Sequence, residues 1–270
     1  MIGIYIRMKK KMSRSFYLRY FSLWLKNTYK KDSNKLTLVY SRGKTGTTTI
    51  YNSLVKHFAI LFQIHTLNQR IINEQLKKFK EFKSPYPSAI VGSKYLVKRL
   101  KDYKRIDIVT VVRDPISIEI SSYFQNKDKY DFSFDSQEEL INYLRNREFE
   151  DGTWFDNEIK EVFGIDIFEE AFDERKGYSI MEKDNVRILL MKLEKLNDVG
   201  DLALSKFFNQ EIQLVNSNLG KQKNYENEYS WVKDNFTVSD EILNHAYNSK
   251  YCRHFYTDKE IEKFKVKWSS

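Results

Sequence analysis

The sequence has few of the residues that constrain a chain covalently. Its single cysteine, Cys252, excludes a disulfide within the chain and favours a reducing compartment. The four histidines are scattered and form no Cys/His cluster of the kind that holds zinc, so we expect no metal. No apolar run is long enough for a membrane-spanning helix. We therefore expect a cytoplasmic protein.

Charge of one sign is not massed in any block of the chain. Lys and Arg number 46 against 37 Asp and Glu, which gives a net charge of +9. This mild basic excess fits an anionic small substrate, a membrane surface or nucleic acid. Because no basic stripe carries interleaved stacking aromatics, we expect no nucleic-acid partner. Nothing in the sequence indicates an oligomeric state.

Residues 1–34 form a basic and aromatic extension, in which Arg19 interrupts the apolar run from Phe16 to Leu25. The extension lacks the clean apolar core and the small-residue cleavage site of a signal peptide. Two interpretations remain: a helix that packs on the domain, or a basic amphipathic helix that contacts the inner face of the membrane peripherally. We expect residues 35–270 to form one domain, because neither a repeat nor a low-complexity linker divides them.

The clearest functional signal is a glycine-containing loop between a strand and a helix. Leu36 to Tyr40 is rich in β-forming residues, and apolar residues at helical spacing begin at Ile50. The intervening loop offers backbone that can turn tightly, a cationic side chain, hydroxyl donors and a helix N-terminus. Its anion-binding candidates are Arg42, Gly43, Lys44, Thr45, Gly46, Thr47 and Thr48. The sequence predicts a site for a terminal phosphate or sulfate; the alternative is a plain turn with a capping threonine.

This loop differs from the Walker A loop of NTPases, which has a glycine five residues before its lysine. Here Val39 occupies that position inside the predicted strand, and Lys44 precedes the last glycine. A nucleotide-dependent kinase or NTPase with a divergent phosphate loop is therefore the alternative enzyme class. A basic module that binds membranes or nucleic acid without catalysis is a third possibility.

Two polar residues follow the strongest predicted strand, Ile106 to Val112. Arg113 comes directly after it, Asp114 is suited to cap the next helix, and Pro115 suits its first turn. Further strands are predicted at residues 59–64 and, more weakly, at residues 89–94. Strands and helices that alternate in this way indicate an α/β fold, with a parallel sheet that binds ligands at its carboxyl edge. Both Lys44 and Arg113 fall at that edge.

The rest of the chain is predicted to be mixed and then helical. Residues 125–180 form a long insert with a helix over 135–147, and a further strand is predicted from Val186 to Met191. The segment after that strand is predicted to be helical, with a loop at residues 218–225.

Taken together, these residues resemble the sulfotransferases that use 3′-phosphoadenosine 5′-phosphosulfate (PAPS). Arg42 to Thr48 is similar to their 5′-phosphosulfate loop, with Gly43 in place of the usual proline and Thr45 in place of serine. Arg113 and Ser121 have the eight-residue spacing of their 3′-phosphate pair. The Trp154 segment and the 218–225 loop look like a bacterial branch labelled putative capsular polysaccharide synthesis protein.

The resemblance implies a three-layer sandwich with a central parallel β-sheet, the P-loop NTPase-like sulfotransferase fold. It implies a sulfuryl transfer from PAPS to a hydroxyl of a carbohydrate acceptor, which leaves adenosine 3′,5′-bisphosphate. Lys44 would neutralise charge on the leaving group, and Arg113 with Ser121 would hold the 3′-phosphate. Lys221 and Lys223, in the loop that resembles a basic closing loop, would clamp the cofactor.

The general base is left open between two residues. Many members of the family place a histidine before the Arg-Asp-Pro strand, but this region reads Gly92-Ser-Lys94-Tyr95 here. His65, at the end of the second strand, is the first candidate, and the alternative is a structural histidine bonded to a backbone carbonyl. Lys94 is the second, if desolvation lowers its pKa. Glu119 is predicted to point away from Ser121.

Three aromatic residues are candidates for stacking on an acceptor sugar: Trp154, Phe155 and Tyr178. The more ordinary interpretation is that all three belong to the hydrophobic core.

Overall fold

The computed structural model describes residues 34–82, 86–130, 137–215 and 226–269. The N-terminal extension predicted to pack on the domain or contact the membrane, and the loop that carries Lys221 and Lys223, lie outside the described residues. Within the described ranges, no helix combines the length and the apolar character needed to cross a bilayer.

A five-stranded sheet forms the centre of the fold. Its strands are β1 (Lys35–Tyr40), β2 (Leu61–Ile64), β3 (Arg105–Val112), β4 (Tyr178–Lys183) and β5 (Val186–Lys192), in the spatial order β2-β1-β3-β5-β4. Strands β2, β1, β3 and β5 run parallel, and β4 pairs antiparallel with β5. The parallel strands are rich in Val, Ile and Leu because both of their faces are buried.

Helices occupy the connections between the parallel strands and most of the described chain after β5. They are α1 (Thr47–Leu54), α2 (Gln69–Glu81), α3 (Ser88–Leu96), α4 (Pro115–Tyr130), α5 (Gln137–Arg145), α6 (Thr153–Phe155), α7 (Glu161–Phe163), α8 (Leu196–Phe208), α9 (Glu226–Asn235), α10 (Asp240–Tyr247), α11 (Lys250–Phe255) and α12 (Asp258–Trp268). A π-helical turn, Asp156–Lys160, joins α6 to α7. Short 3₁₀ turns precede β3 and α8.

Two hydrophobic clusters lie on opposite faces of the sheet. Leu36 and Leu38 of β1 belong to a large cluster that includes Ile116 and Ile120 of α4. Val39, the residue after Leu38, belongs to a smaller cluster with residues of α1 and α8. Alternate side chains of a strand point to opposite faces, so helices cover both sides and the domain has three layers. This confirms an α/β arrangement with a mostly parallel central sheet.

The path of the chain reverses beside β1. From β1 it moves to β2 on one side and then returns to β3 on the other, so β1 lies between its two successors. In open α/β sheets, ligands bind in the crevice outside the carboxyl ends of the strands where the strand order reverses. Here that crevice lies between the ends of β1 and β3.

Most predicted elements are confirmed, and two expectations are wrong. The weak strand expected at residues 89–94 is helix α3. It packs closely on β2, since a Cβ atom added at Gly92 would lie 3.2 Å from the ring of Phe62. The short apolar run suited a buried helix as well as a strand. The sheet is also not purely parallel, because β4, which begins at the end of the segment expected to be an insert, forms a hairpin with β5.

Candidate functional site

The loop after β1 makes two sharp backbone turns. Lys44 has φ of 72° and Gly46 has φ of 77°, both in the left-handed region. For a residue with a Cβ atom this conformation costs roughly 1–2 kcal/mol, so Lys44 is held there by the surrounding structure. Gly46 is the residue before α1 and has no side chain to cap it, and no acidic residue occupies the first turn. The N-terminus of α1 is therefore suited to an anion.

A buried hydroxyl pair fixes the base of this loop. Ser41 Oγ donates to the carbonyl of Val111 at 2.8 Å and lies 2.9 Å from Thr45 Oγ1. Thr45 Oγ1 also lies 2.9 Å from the Arg42 carbonyl, and Thr45 is fully buried. The Ser41 hydroxyl thus ties the loop to β3, and the Thr45 hydroxyl holds the loop to Ser41.

The two following threonines face a glutamine from β2. Gln63 Nε2 donates to Thr47 Oγ1 at 2.9 Å and lies 3.4 Å from Thr48 Oγ1. Thr48 is exposed at the start of α1, whereas Thr47 is buried. Of the three threonine hydroxyls predicted as donors, that of Thr48 is therefore the most accessible.

Arg113, directly after β3, reaches the loop. Its Nη1 donates to the Lys44 carbonyl and to Ser121 Oγ, both at 2.8 Å. Tyr229 of α9 completes the cluster, with its hydroxyl 3.0 Å from Ser121 Oγ and 3.3 Å from Arg113 Nη2. The hydroxyl of Tyr251 bonds both the N–H and the C=O of Arg113 at 2.9 Å. The structure thus brings Lys44, Arg113 and Ser121 together at one edge.

His65 lies at the same edge, directly after β2. Its Nδ1 is 2.8 Å from the Ser41 carbonyl oxygen. A carbonyl can only accept, so Nδ1 carries the proton and Nε2 of the neutral ring has the lone pair. Burial lowers the pKa of His65, the bond to Ser41 opposes this, and the charge of Lys44 lowers it further. The ring is therefore neutral at neutral pH, with its one proton on Nδ1, and the charge of Lys44 contributes to the lowered pKa.

The guanidinium of Arg42 is directed towards two carboxylates. It donates from Nη2 to Glu119 and from Nη1 to Glu150, each at 2.6 Å. Glu119 is fully buried and also accepts from Arg147 Nε at 2.9 Å. Two arginines thus hold the Glu119 carboxylate, whereas Ser121 bonds Arg113 and Tyr229. The side chain of Arg42 thus joins the loop after β1 to α4 and to the segment before α6.

The second base candidate, Lys94, lies on α3 rather than at a strand end. The expectation of a weak strand that ends at Lys94 is wrong, because residues 89–94 are helical. Its Nζ donates to Asn73 Oδ1 of α2 at 3.0 Å. Desolvation and the neighbouring Lys98 lower the pKa of Lys94.

Of the three aromatic candidates for a sugar site, two belong to the core. Phe155 and Tyr178 are 3% and 2% exposed. Trp154 is only partly buried, and its Nε1 donates to the carbonyl of His65 at 3.0 Å. Only Trp154 therefore retains accessible ring surface beside the site.

Sequence reasoning missed Glu158, which fixes the backbone after His65. Its carboxylate accepts from the N–H groups of Leu67 at 2.7 Å and Asn68 at 3.0 Å, and from the hydroxyl of Tyr40. It is 1% exposed and lies in the π-helical turn. Its spacing of about ninety residues from its partners gives no local signal, and a buried glutamate is not distinguishable by type from the exposed ones beside it. Tyr229 was missed for the same reason.

Comparison with protein families gives one match. Residues 139–257 match the model of a family described as "NKWYS: Putative capsular polysaccharide synthesis protein". The match covers less than half of the chain and includes Trp154, Glu158, Tyr229 and Tyr251, but neither the loop at Lys44 nor the pair of Arg113 and Ser121. No curated protein matches the chain, and no solved structure does.

Proposed function

We propose that the protein is a PAPS-dependent sulfotransferase that sulfates a hydroxyl of a bacterial capsular or surface polysaccharide, or of its precursor. The observation that carries the proposal is the bond between Arg113 Nη1 and the Lys44 carbonyl, 2.8 Å long. Two cationic residues from separate motifs meet at the crevice between β1 and β3, where one ligand with two anionic groups fits both. The match to a capsular polysaccharide family supports a carbohydrate acceptor.

The proposed roles follow from this placement. The N–H groups of residues 45–48 bind the 5′-phosphate, and Arg113, Ser121 and the Tyr229 hydroxyl bind the 3′-phosphate. The acceptor oxygen attacks sulfur in line while the bond from sulfur to the 5′-phosphate oxygen breaks. Lys44 neutralises the charge that develops on that oxygen, and Nε2 of His65 takes the proton of the acceptor hydroxyl.

Calorimetric titration with adenosine 3′,5′-bisphosphate and with 5′-AMP tests the nucleotide site. We expect the bisphosphate to bind at least tenfold more tightly, since charge-assisted hydrogen bonds contribute about 1.5–3 kcal/mol each. Arg113→Met should remove this preference, whereas Lys44→Ala should weaken both ligands and abolish sulfuryl transfer. Arg70→Met, at an arginine whose side chain is 63% exposed, is the matched control.

The outcome that would overturn the proposal is binding of ATP with magnesium in place of the bisphosphate. That result would favour a kinase or NTPase with a divergent loop. Full transfer activity in the Lys44→Ala protein would remove Lys44 from the mechanism.

A further inference from the structure

A cavity of about 510 Å³ opens beside the phosphate loop. Residues 148–151, 153 and 154 contribute one wall, and Arg42, His245 and Ser249 also line the cavity. Its volume lies within the range of roughly 300–1,000 Å³ that is usual for small-molecule sites.

The wall combines ring surface with hydrogen-bonding groups. Trp154 is partly exposed, and the ring of Phe149 packs against that of His245 with centroids 5.5 Å apart. Carboxylates and hydroxyls stand beside the rings, among them those of Asp151 and Thr153. Sugars present apolar C–H faces to rings and hydroxyls to polar groups, so this surface suits a carbohydrate.

The wall is also rigid. Gly152 has φ of 107°, and a Cβ atom there would lie 2.6 Å from the ring of Phe168. Glu150 accepts from the N–H of Gly152 at 3.0 Å and from Arg42, and Asp151 accepts from the N–H of Thr153 at 2.8 Å. A wall held in this way needs little ordering when a ligand binds.

The cavity is coupled to the proposed chemistry through Trp154. The same indole that lines the cavity donates to the carbonyl of His65. Arg42 lines the cavity and directly follows Ser41, whose carbonyl fixes the His65 ring. A ligand in the cavity is therefore next to both the loop and the proposed base.

The charge of the cavity is opposite to that of the whole protein. Its lining includes one arginine against three carboxylates, Glu148, Glu150 and Asp151, and the arginine is already paired with Glu119 and Glu150. The net charge of the chain is +9. We propose that this cavity is the acceptor site and that it takes a neutral sugar or an amino sugar in preference to a uronic acid or an already sulfated sugar. The proposal rests on the proposed sulfotransferase function.

The test is calorimetric titration of the full chain, without nucleotide, with three trisaccharides. These are chitotriose, which is cationic, N-acetylchitotriose, which is neutral, and trigalacturonate, which is anionic. We expect the first two to bind at least tenfold more tightly than the third. The double variant Glu148→Gln/Asp151→Asn should reduce this difference by at least threefold, and Glu169→Gln/Glu170→Gln, at two exposed positions outside the cavity, should leave it unchanged.

A second variant tests the location. Thr153→Trp fills the cavity from an exposed position and should weaken the two favoured sugars at least tenfold, whereas Thr153→Ser should not. Circular dichroism checks that both fold. Equal affinity for all three sugars, no binding of any, or binding that Thr153→Trp leaves intact would overturn the proposal. Nucleotide binding is measured separately, so loss of bisphosphate binding with retained sugar binding rejects the sulfotransferase and not the cavity.

Discussion

At the scale of the residue, His65 shows how one hydrogen bond can set the chemistry of a side chain. The Ser41 carbonyl fixes the proton on Nδ1, and burial together with Lys44 disfavours a second proton. A neutral imidazole with a free Nε2 lone pair is the form that a general base needs. The backbone carbonyl expected for a structural histidine is thus present, and the tautomer that it fixes is also the one that the proposed proton transfer requires.

The stability of the protein should depend on the protonation of His65. Its folded pKa lies below the unfolded value of about 6.5, so the unfolded state binds more protons between the two values. The contribution of His65 is complete above the unfolded pKa and is lost as the pH falls through the folded pKa. We expect His65→Gln to flatten the pH dependence of the free energy of unfolding below pH 6.5, measured with urea.

The matched control is His57→Gln, because His57 is exposed in the segment between α1 and β2. The comparison with the parent chain also removes contributions from other histidines, such as His254, whose pKa burial lowers as well.

Sulfuryl transfer should show the same acid limb, with activity rising through a pKa below 6.5 and level above it. An acid limb that persists in His65→Gln would contradict the assignment.

Single residues were predicted where their chemistry depends on neighbours in the sequence. Lys44 and Arg113 each follow a predicted strand, and Ser121 lies on the helix that begins just after Arg113. Their position at one edge of the sheet was therefore predictable. The partners of Arg42 were not, because Glu119 and Glu150 come from segments that only the folded chain brings to the loop. The predicted position of Lys94 was wrong for a different reason: it depended on a short apolar run that suited a helix as well as a strand.

At the scale of the element, the loop and α1 act as one unit. Leu193, from the turn after β5, packs directly against Gly46, so the close approach requires a residue without a side chain. The positive φ of Gly46 adds a second requirement. The strand, loop and helix were predictable from local pattern, but this contact with the end of β5 was not.

Gly46→Ala should therefore distort the loop while Gly43→Ala should not. A Cβ atom at Gly46 would lie 2.5 Å from Leu193 Cδ1 in a strained left-handed conformation, whereas a Cβ atom at Gly43 meets nothing within 4 Å. We expect Gly46→Ala to weaken adenosine 3′,5′-bisphosphate binding at least tenfold by calorimetry, with Gly43→Ala close to the parent. Equal affinities of the two variants would show that the loop conformation does not determine nucleotide binding.

At the scale of the whole molecule, two parts of the chain build the site. The first part supplies the charges, at Lys44 and Arg113. The segment that matches the capsular polysaccharide family supplies the supports: Tyr251 bonds the backbone of Arg113, and Glu158 bonds the backbone after His65. The predicted anion-binding residues and the family match thus lie in different halves of the chain, and contacts between the two halves position these residues.

Asp114, next to Arg113, is buried and joins the end of β3 to the last helices of the chain. Asp114 caps α4 through the N–H groups of Ile116 and Ser117, as its sequence position predicted. It also accepts from the hydroxyl of Tyr247 at 2.7 Å and from Trp268 Nε1 at 3.0 Å. A capping role was predictable from local sequence, whereas a partner 154 residues away was not.

Trp268→Phe removes that long-range bond, because phenylalanine keeps an aromatic ring at the site but lacks the five-membered ring of the indole with its N–H. Trp268 is 1% exposed, so no water is expected to replace the donor to the Asp114 carboxylate. We expect the free energy of unfolding to fall by about 1–3 kcal/mol, measured by urea denaturation. Trp231→Phe, at a tryptophan that is 46% exposed, should change it by less than about 0.5 kcal/mol. Similar values for the two variants would mean that the end of α12 does not stabilise the strand end that carries Arg113.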